Sequence, residues 1–422
     1  MDLWQILVLG VLRLGLDADW DRMEDMTNHH TQIRQMLGLP DVAFGAEAKV
    51  FGHQTLRDNV ALLDEAVLKE INALIAAAGC EVFAKKEGAP VEALEIKEDS
   101  YVLETDVHFP TDLNLLWDAC RKCVDLIVKY RDQFGYALPG WRKAKEWRRQ
   151  LKNCQRAASQ TVYRGGPNKE ARVKRAVREY LAVGRDLSTK VRESLLGLCE
   201  QPVSAARWEA LEYFHRMLDK HLDLVERRLL KEQIIPRHEK VFSLFEPHTE
   251  WIKKGKRRPD VELGQRFLIG TCQHQLIRDY DVLVGELDIN QSVPVADRLL
   301  GRYGEGSIAS MSFDNGFTRA EDRDLLSLYI PTVVMPKRGK KNATETERER
   351  GKKFVALRHA HSAVESEINS LEHHGLNRCL DVGLDGYLRY VGYGVMSYNL
   401  HLIGRELLAR EREGVRPARM AA

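Results

Sequence analysis

Cysteine is scarce and unpatterned in this sequence. Seven residues stand at 80, 120, 123, 154, 199, 272 and 379, an odd number with no repeated spacing. That excludes a disulfide-framed fold and points to a reducing compartment. The one close pair, Cys120 and Cys123 in WDACRKCVDL, lacks the second pair or the His partners of a zinc site. It also lacks the context of a redox motif, so it reads as two thiols near a helical surface. No glycine-rich loop ends in Gly-Lys-Ser/Thr, and no HExxH or HxxxH spacing exists. Neither an NTP site nor a helical zinc site is therefore expected. The pairs His29–His30 and His373–His374 read as ordinary polar residues.

Long apolar runs are missing as well. The N-terminal LWQILVLGVLRLGLDADW is short, broken by Arg13 and preceded by Asp2 rather than a basic segment. It reads as a core helix with a stripe of Leu3, Ile6, Leu7 and Val11, not as a signal or a span. The chain is expected to be soluble and cytoplasmic, with no membrane partner. Net charge is almost absent: 64 Lys and Arg face 62 Asp and Glu, a formal +2. With 44% apolar and 30% charged residues, disorder is excluded as the main state. A length of 422 residues suggests two or three domains.

What is present has a mixed pattern. Residues 1–78 read as helices, with a break near Thr27 and Asn28, a stop at Gly38 and Pro40 beyond it. A further stripe of Leu63, Val67, Ile71 and Leu74 ends at Gly79. This front segment fits a small helix-turn-helix-like unit or a helical cap equally well. EVFAKK and IKEDSYVLETDVHF then read as strands, closed by Pro110. From Leu113 to about Leu230 three-and-four spacing returns, as in Leu187, Val191, Leu195 and Leu198, or Leu211, Phe214, Leu218, Leu222, Val225 and Leu229. KVFSLF at 240–245, RFLIGTCQHQLI, IASMSFDNGF and IPTVVMPK read as strands. VPVADRLLGRYG, RAEDRDLLSLY, HSAVESEINSLEHHGL and the tail with Val391, Val395, Tyr398 and Leu402 read as helices. Such an order suits an α/β core of RNase H-like type, a mixed sheet flanked by helices, split by a long helical insertion.

Three carboxylates stand out by context. Asp99 sits on a strand in KEDSYVLETDVHFPTD, and Asp314 ends an apolar strand beside a Gly turn. Glu365 lies next to the apolar stripe Val364, Ile368 and Leu371 of a helix. Singly, each has an ordinary explanation: a strand-edge charge, a turn former, and an exposed helix residue beside Glu367 and Glu372. Together, on strand, strand and helix, they suit a site for two metal ions that bind hard oxygen ligands. His108 in VHFPTD is the one histidine expected beside such a site.

The blocks DSYVLETDVHFPTDLNLLWDA, SFDNGF and HSAVESEINSLEHHGLNRCLDVGLDGYLRYVGYGVMSYNLHLIG resemble the three catalytic blocks of bacterial insertion-sequence transposases with a DDE catalytic domain. Within them the chain is most similar to the ISNCY group, over essentially its whole length. The resemblance implies Asp99, Asp314 and Glu365 as catalytic and metal-holding residues, with Asp106 the runner-up for the first position. It implies two Mg²⁺ ions, with Mn²⁺ as a substitute. Water attacks the phosphodiester at the element end, and the freed 3′-hydroxyl attacks the target, without a covalent enzyme intermediate. Related transposases carry Arg four residues before the Glu and Lys seven after it, where this chain has His361 and Glu372. The family carries residues ahead of the point matching Met1, so the chain is expected to be N-terminally short.

Charge is also unevenly spread. Residues 141–176 hold 12 Lys and Arg against 2 Asp and Glu. Trp141, Trp147 and Tyr163 are interleaved with these cations, a pattern that suits phosphates with stacked bases or sugars. Arg142, Lys143, Lys145, Arg148, Arg149 and Lys152 are the expected DNA-binding residues there. A second cluster holds Lys253, Lys254, Lys256, Arg257 and Arg258, in a loop or hairpin beside a catalytic strand. A third, from Lys337 to Lys353, is diluted by Glu345, Glu347 and Glu349.

The expected layout is a helical DNA-binding unit at 1–90 and a discontinuous catalytic domain at 91–113 and 237–385. A basic helical insertion at 114–236 and a C-terminal helix and tail at 386–422 complete it. The expected function is a DNA transposase acting in the bacterial nucleoid on double-stranded element ends and target. It would work as a homo-oligomer and without NTP. The alternatives are an RNase H-like nuclease without strand transfer and an inactive or domesticated DNA-binding relic.

Overall fold

The computed structural model describes residues 1–40, 49–84, 92–253 and 260–415. The chain forms two compact units, Met1–Asp106 with His248–Ala422, and Val107–Pro247. The first begins with α1 (Leu3–Gly15), α2 (Trp20–His29), α3 (Thr31–Met36), α4 (His53–Val60), α5 (Glu65–Phe83) and strand β1 (Leu94–Thr105). The second is built on α6 (Asp112–Phe134), α7 (Ala144–Tyr163), α8 (Lys169–Cys199) and α9 (Ala205–Leu229). The first unit resumes with β2 (Glu250–Lys253), β3 (Val261–Thr271), β4 (Ile277–Leu283), α10 (Ser292–Tyr303) and β5 (Ile308–Phe313). It closes with α11 (Ala320–Leu326), β6 (Val333–Val334), α12 (Ala343–Arg350), α13 (Lys352–His361), α14 (Ala363–Leu371), β7 (Arg378–Cys379) and α15 (Leu384–Val415).

The seven strands form one mixed sheet in the order β2-β3-β1-β5-β6, with β4 also pairing β3 and β7 also pairing β1. β1 runs antiparallel to β3, and β3 antiparallel to β4. β5 is parallel to both β1 and β6. Two glycines let β1 and β3 come together. A Cβ at Gly264 would stand 2.0 Å from the Leu103 carbonyl oxygen, and one at Gly270 would stand 2.1 Å from Glu98 Oε1. Helices cover both faces. Tyr101, Leu103, Phe267 and Ile269 pack with Val364 and Leu371 of α14 and with the apolar side of α15. Ile96, Leu268 and Phe313 pack with Val295 and Leu299 of α10.

Local signals set the helix ends. Asp2 and Gln5 form a capping box on α1, Asp19 caps α2, Asp64 caps α5 and Thr111 caps α6. Gly135, at φ 69°, ends α6 in the left-handed conformation.

The division differs from the expected one. The segments 1–90 and 386–422 are not separate units, because α1 and α5 pack on α15 within the same core as β1, β3 and β4. The approach is close: a Cβ at Gly10 would meet the Tyr393 ring at 2.1 Å. The bounds of the helical insertion also move, to 107–247.

Three expected elements change. Glu81–Phe83 continue α5 rather than starting a strand, while Lys85 and Lys86 lie outside the described residues. Gly79 does not stop that helix. It lets α5 approach the sheet, since a Cβ there would lie 2.7 Å from Leu276 Cδ1. KVFSLF is not a strand. Its Leu244 carbonyl accepts from Tyr213 Oη of α9 and its Phe245 ring packs on Phe214, so helix packing takes these apolar residues.

The inward stripes are rotated from the expected ones. On α1, Ile6, Val8, Leu9 and Leu14 are buried while Leu3 is 71% exposed. On α5, Leu68, Asn72 and Ala76 face inward while Leu74 is 72% exposed. Asn72 displaces the apolar pattern because it has a buried partner. Asn399 of α15 donates from Nδ2 to Asn72 Oδ1 at 2.8 Å and to the Ile277 carbonyl at 3.0 Å. Its Oδ1 accepts from the Ile277 amide at 2.9 Å. One side chain thus ties α15, α5 and β4 at a completely buried point. Among the described residues, no helix is long and apolar enough to cross a membrane.

Asn399→Leu keeps the volume but strands the Ile277 amide and Asn72 Oδ1. It should lower unfolding stability by about 3 kcal/mol, read as a fall in the urea midpoint with unchanged slope.

Candidate functional site

β1 is paired by β3 on one edge throughout its middle. On the other edge β5 accompanies it only to Glu98, and β7 joins it only from Glu104. Asp99 is the first residue beyond the end of β5, in the crevice where parallel strands leave a sheet. Asp314 follows β5 directly; its amide donates to the Glu98 carbonyl at 3.4 Å. Asp314 Oδ2 accepts from the Gly316 amide at 3.2 Å, which holds the chain in a tight turn. Glu365 lies in the first turn of α14 and is exposed.

These three expected residues come from separate segments, and the other two bear on Asp99. Burial first, and then the charges of Asp314, Asp288 and Glu365, push the Asp99 carboxyl up to about 7; a hydrogen bond from the Ser100 amide opposes the shift. Asp106 is not brought to this place. It lies just past the far end of β1, about 20 Å along the strand at ~3.3 Å per residue, with its carboxylate 3.7 Å from Arg378.

Asp288 escaped the sequence reading. It opens a short turn before α10, in LDINQS, where it looks like a helix-start residue. Ser100 Oγ donates to its Oδ1 at 2.8 Å, and Arg266 Nε stands 3.7 Å from its Oδ2. Ser100, one residue after Asp99, is the signal that could have linked the two segments.

α14 is fastened to β1 by an ion pair beside the site. Lys97 Nζ lies 2.7 Å from Glu367 Oε1, and both side chains are buried. Glu367 is therefore the inward carboxylate of this helix and Glu365 the outward one. His361, four residues before Glu365, shares a 3.0 Å hydrogen bond between its Nδ1 and Ser312 Oγ, two residues before Asp314. Burial lowers its pKa, and Asp314 opposes the shift. Behind the strand, Glu98 is fully buried with neither oxygen bonded. Burial, and then Asp279, push it well above the carboxylate range, so it is held neutral.

Among the described residues, no three His, Cys, Asp or Glu side chains already stand at metal-ligand spacing. The donor set still fits a hard cation: burial and the neighbouring carboxylates raise the cost of ionising Asp99, and a divalent ion would relieve it.

Two other expectations are corrected. His108 belongs to the helical unit, where its Nε2 lies 2.6 Å from Asp118 Oδ2 of α6; that contact raises its pKa. Cys120 and Cys123 are completely buried in the same unit's core rather than near its surface. Their face of α6 packs inward, and burial raises both thiols.

The basic stretch maps onto the end of the loop before α7, onto α7 itself, and onto the start of α8. Ala144, Leu151, Gln155 and Ala158 form the buried side of α7. Lys145, Arg149, Lys152 and Arg156 follow at helical spacing on the outward side. Trp141 is core rather than a stacking platform: it is 1% exposed and donates from Nε1 to Ser194 Oγ at 2.8 Å. Tyr163 is exposed. Arg148 is paired with Asp125, and Arg149 with Glu146 at 2.8 Å. Lys152 lies over the Trp117 ring at 4.8 Å; burial, and then Arg156, lower its pKa. Lys253 ends β2, while Lys254, Lys256, Arg257 and Arg258 lie outside the described residues.

Comparison with family models, with curated proteins and with solved structures finds no match.

The raised Asp99 value has a signed consequence. The folded carboxyl holds its proton to higher pH than the 3.8 of a free aspartate, so its ionisation costs stability progressively between about pH 4 and pH 7. Asp99→Asn removes that cost. Its melting temperature relative to the parent should rise between pH 4 and pH 8, as measured by thermal denaturation in chelator.

Proposed function

We propose that this chain is a DNA transposase with an RNase H-like catalytic unit, acting at the ends of its own insertion sequence. The observation that carries the reading is that Asp314 and Glu365, from two other segments, both bear electrostatically on the Asp99 carboxyl of the central strand. The sheet order supports it. An antiparallel β1, β3 and β4 followed by parallel β5 and β6 is the strand sequence of an RNase H-like core. The resemblance of the surrounding blocks to DDE transposases adds strand transfer to simple hydrolysis.

Asp99, Asp314 and Glu365 are the residues that would hold two Mg²⁺ ions, or Mn²⁺. Such ions supply a water activated for attack and charge stabilisation at the leaving oxygen. Asp99 must give up its proton to take part, which its burial, and then the charges of Asp314 and Asp288, resist and a bound cation would favour. Lys97 and Glu367 hold α14 against β1 and so fix the helix that carries Glu365. His361 stands where transposases of this kind carry Arg; it is half-buried and bonded to Ser312, and burial lowers its pKa, so it is a weaker phosphate contact than Arg.

The phosphate-binding surface is the insertion rather than the front helices. Residues 1–78 carry six Lys and Arg against twelve Asp and Glu. Two of those cations are spent inside: Arg13 pairs with Asp381 at 2.8 Å, and Arg34 is buried against the carbonyls of Thr27, Asn28, Pro40 and Lys49. On the insertion, by contrast, Arg142, Lys143, Lys145 and Arg156 are exposed. The partner is double-stranded DNA in the nucleoid, engaged by a homo-oligomer that brings element ends together.

Asp314→Asn should abolish Mg²⁺-dependent cleavage of terminal-repeat DNA while leaving gel-shift affinity within about twofold, since one neutral site residue removes no phosphate contact. Cleavage retained by that variant would refute the assignment, and failure to join pre-cleaved ends would reduce the enzyme to a nuclease. Mg²⁺ should also raise the melting temperature of the parent at pH 8 but not that of Asp99→Asn.

Replacing Arg142, Lys143, Lys145 and Arg156 together by Ala should flatten the plot of log affinity against log salt by up to about 0.9 per lost phosphate contact. An unchanged slope would place the DNA elsewhere.

A further inference from the structure

Away from the carboxylates, the end of α5 meets the corner between β3 and β4. The corner is a tight turn: the Cys272 amide donates to the Leu276 carbonyl at 3.0 Å, and Gln275 takes a φ of 65°. Gly79 lets α5 sit against Leu276 and Ile403. The contact brings Cys80 of α5, half-buried, within hydrogen-bonding reach of the fully buried Cys272. Arg278 of β4 directs its Nη1 at Cys80 Sγ from 3.3 Å. Its guanidinium is stacked 4.3 Å over the Tyr303 ring of α10, which holds it in place.

Other groups lie near this point among the described residues. Phe83 is stacked on His274, Glu81 precedes Phe83 on the same helix, and Arg410 of α15 donates to the Val82 carbonyl. Of the charged groups named, only Glu81 opposes a thiolate at Cys80.

We propose that Cys80 is a peroxide-reactive thiol and that Cys272 is its resolving partner. The Cys80 thiolate attacks one oxygen of hydrogen peroxide, giving a sulfenic acid and hydroxide, which takes up the proton the thiol released. The Cys272 sulfur then attacks the sulfenic sulfur, expelling water and forming the disulfide. Over both steps two thiols lose two electrons and two protons, and one peroxide becomes two waters. The bond clips the end of α5 to the β3–β4 corner, and a dithiol reductant reverses it.

The environment supplies the reactivity. The Cys272 thiol donating to Cys80, and then the Arg278 guanidinium, bring Cys80 down to about 7 against the effect of burial. Cys199 is exposed and lacks such a setting, so it serves as an internal comparison.

The experiment exposes the full chain to hydrogen peroxide at pH 7, traps remaining thiols and maps them by peptide mass. Cys80 and Cys272 should be lost together as a linked pair two mass units lighter, several-fold faster than the exposed Cys199. Oxidation of Cys199 ahead of Cys80, or loss of Cys80 without linkage to Cys272, would overturn the proposal. In Cys272→Ser the sulfenic acid should persist on Cys80 and be captured by dimedone; no adduct at Cys80 would equally overturn it. The mapping on the parent chain needs no variant to fold.

Discussion

β1 must be hydrogen-bonded along its length and yet leave Asp99 reachable. The sheet meets both demands by giving the strand one continuous neighbour, β3, and two partial ones, β5 and β7, on the opposite edge. The interval between the partial neighbours is where the carboxylates gather. β3 can serve as the continuous neighbour only because Gly264 and Gly270 carry no Cβ. The site is thus a consequence of how one strand is paired, and the helices on either face hold that pairing in place.

Electrostatic cost is concentrated rather than spread. Charges beside the site that have no functional reading are neutralised locally: Lys97 by Glu367, and Asp279 by Arg298 at 2.7 Å. Glu98 is kept neutral by its burial. Asp99, by contrast, is buried with the charges of Asp314, Asp288 and Glu365 bearing on it. The helical unit shows the opposite arrangement, an apolar core of Trp141, Tyr180 and the buried faces of four helices beneath a basic exterior. The near-zero net charge of the whole chain is the sum of these two different surfaces.

The strings that make the resemblance specific turn out to be partly architectural. Tyr387 Oη of the GLDGY string donates to the Leu103 carbonyl of β1 at 2.6 Å, and Asn399 of YNL joins α15, α5 and β4. They secure α15 to the sheet that carries Asp99. The Cys80–Cys272 pair belongs to the same packing: α5 and the β3–β4 corner meet there for reasons of shape, and two thiols are brought together as a result.

Much was legible from residues alone. The helical periodicity of α8 and α9 and the apolar run ending at Asp314 were readable because each depends on local spacing. The inward faces of α1 and α5 were not, since Asn72 faces the core and pattern reading assumes that polar residues face out. Trp141 read as a stacking platform and His108 as a site residue because sequence proximity to cations or to Asp106 says nothing about which side chain finds a partner. Asp288, Glu367 and the Cys80–Cys272 pair became visible only in three dimensions. Their meaning lies in side chains up to 270 residues away, as for Lys97 and Glu367, and only the folded packing decides which buried polar groups are satisfied and which charges remain facing one another.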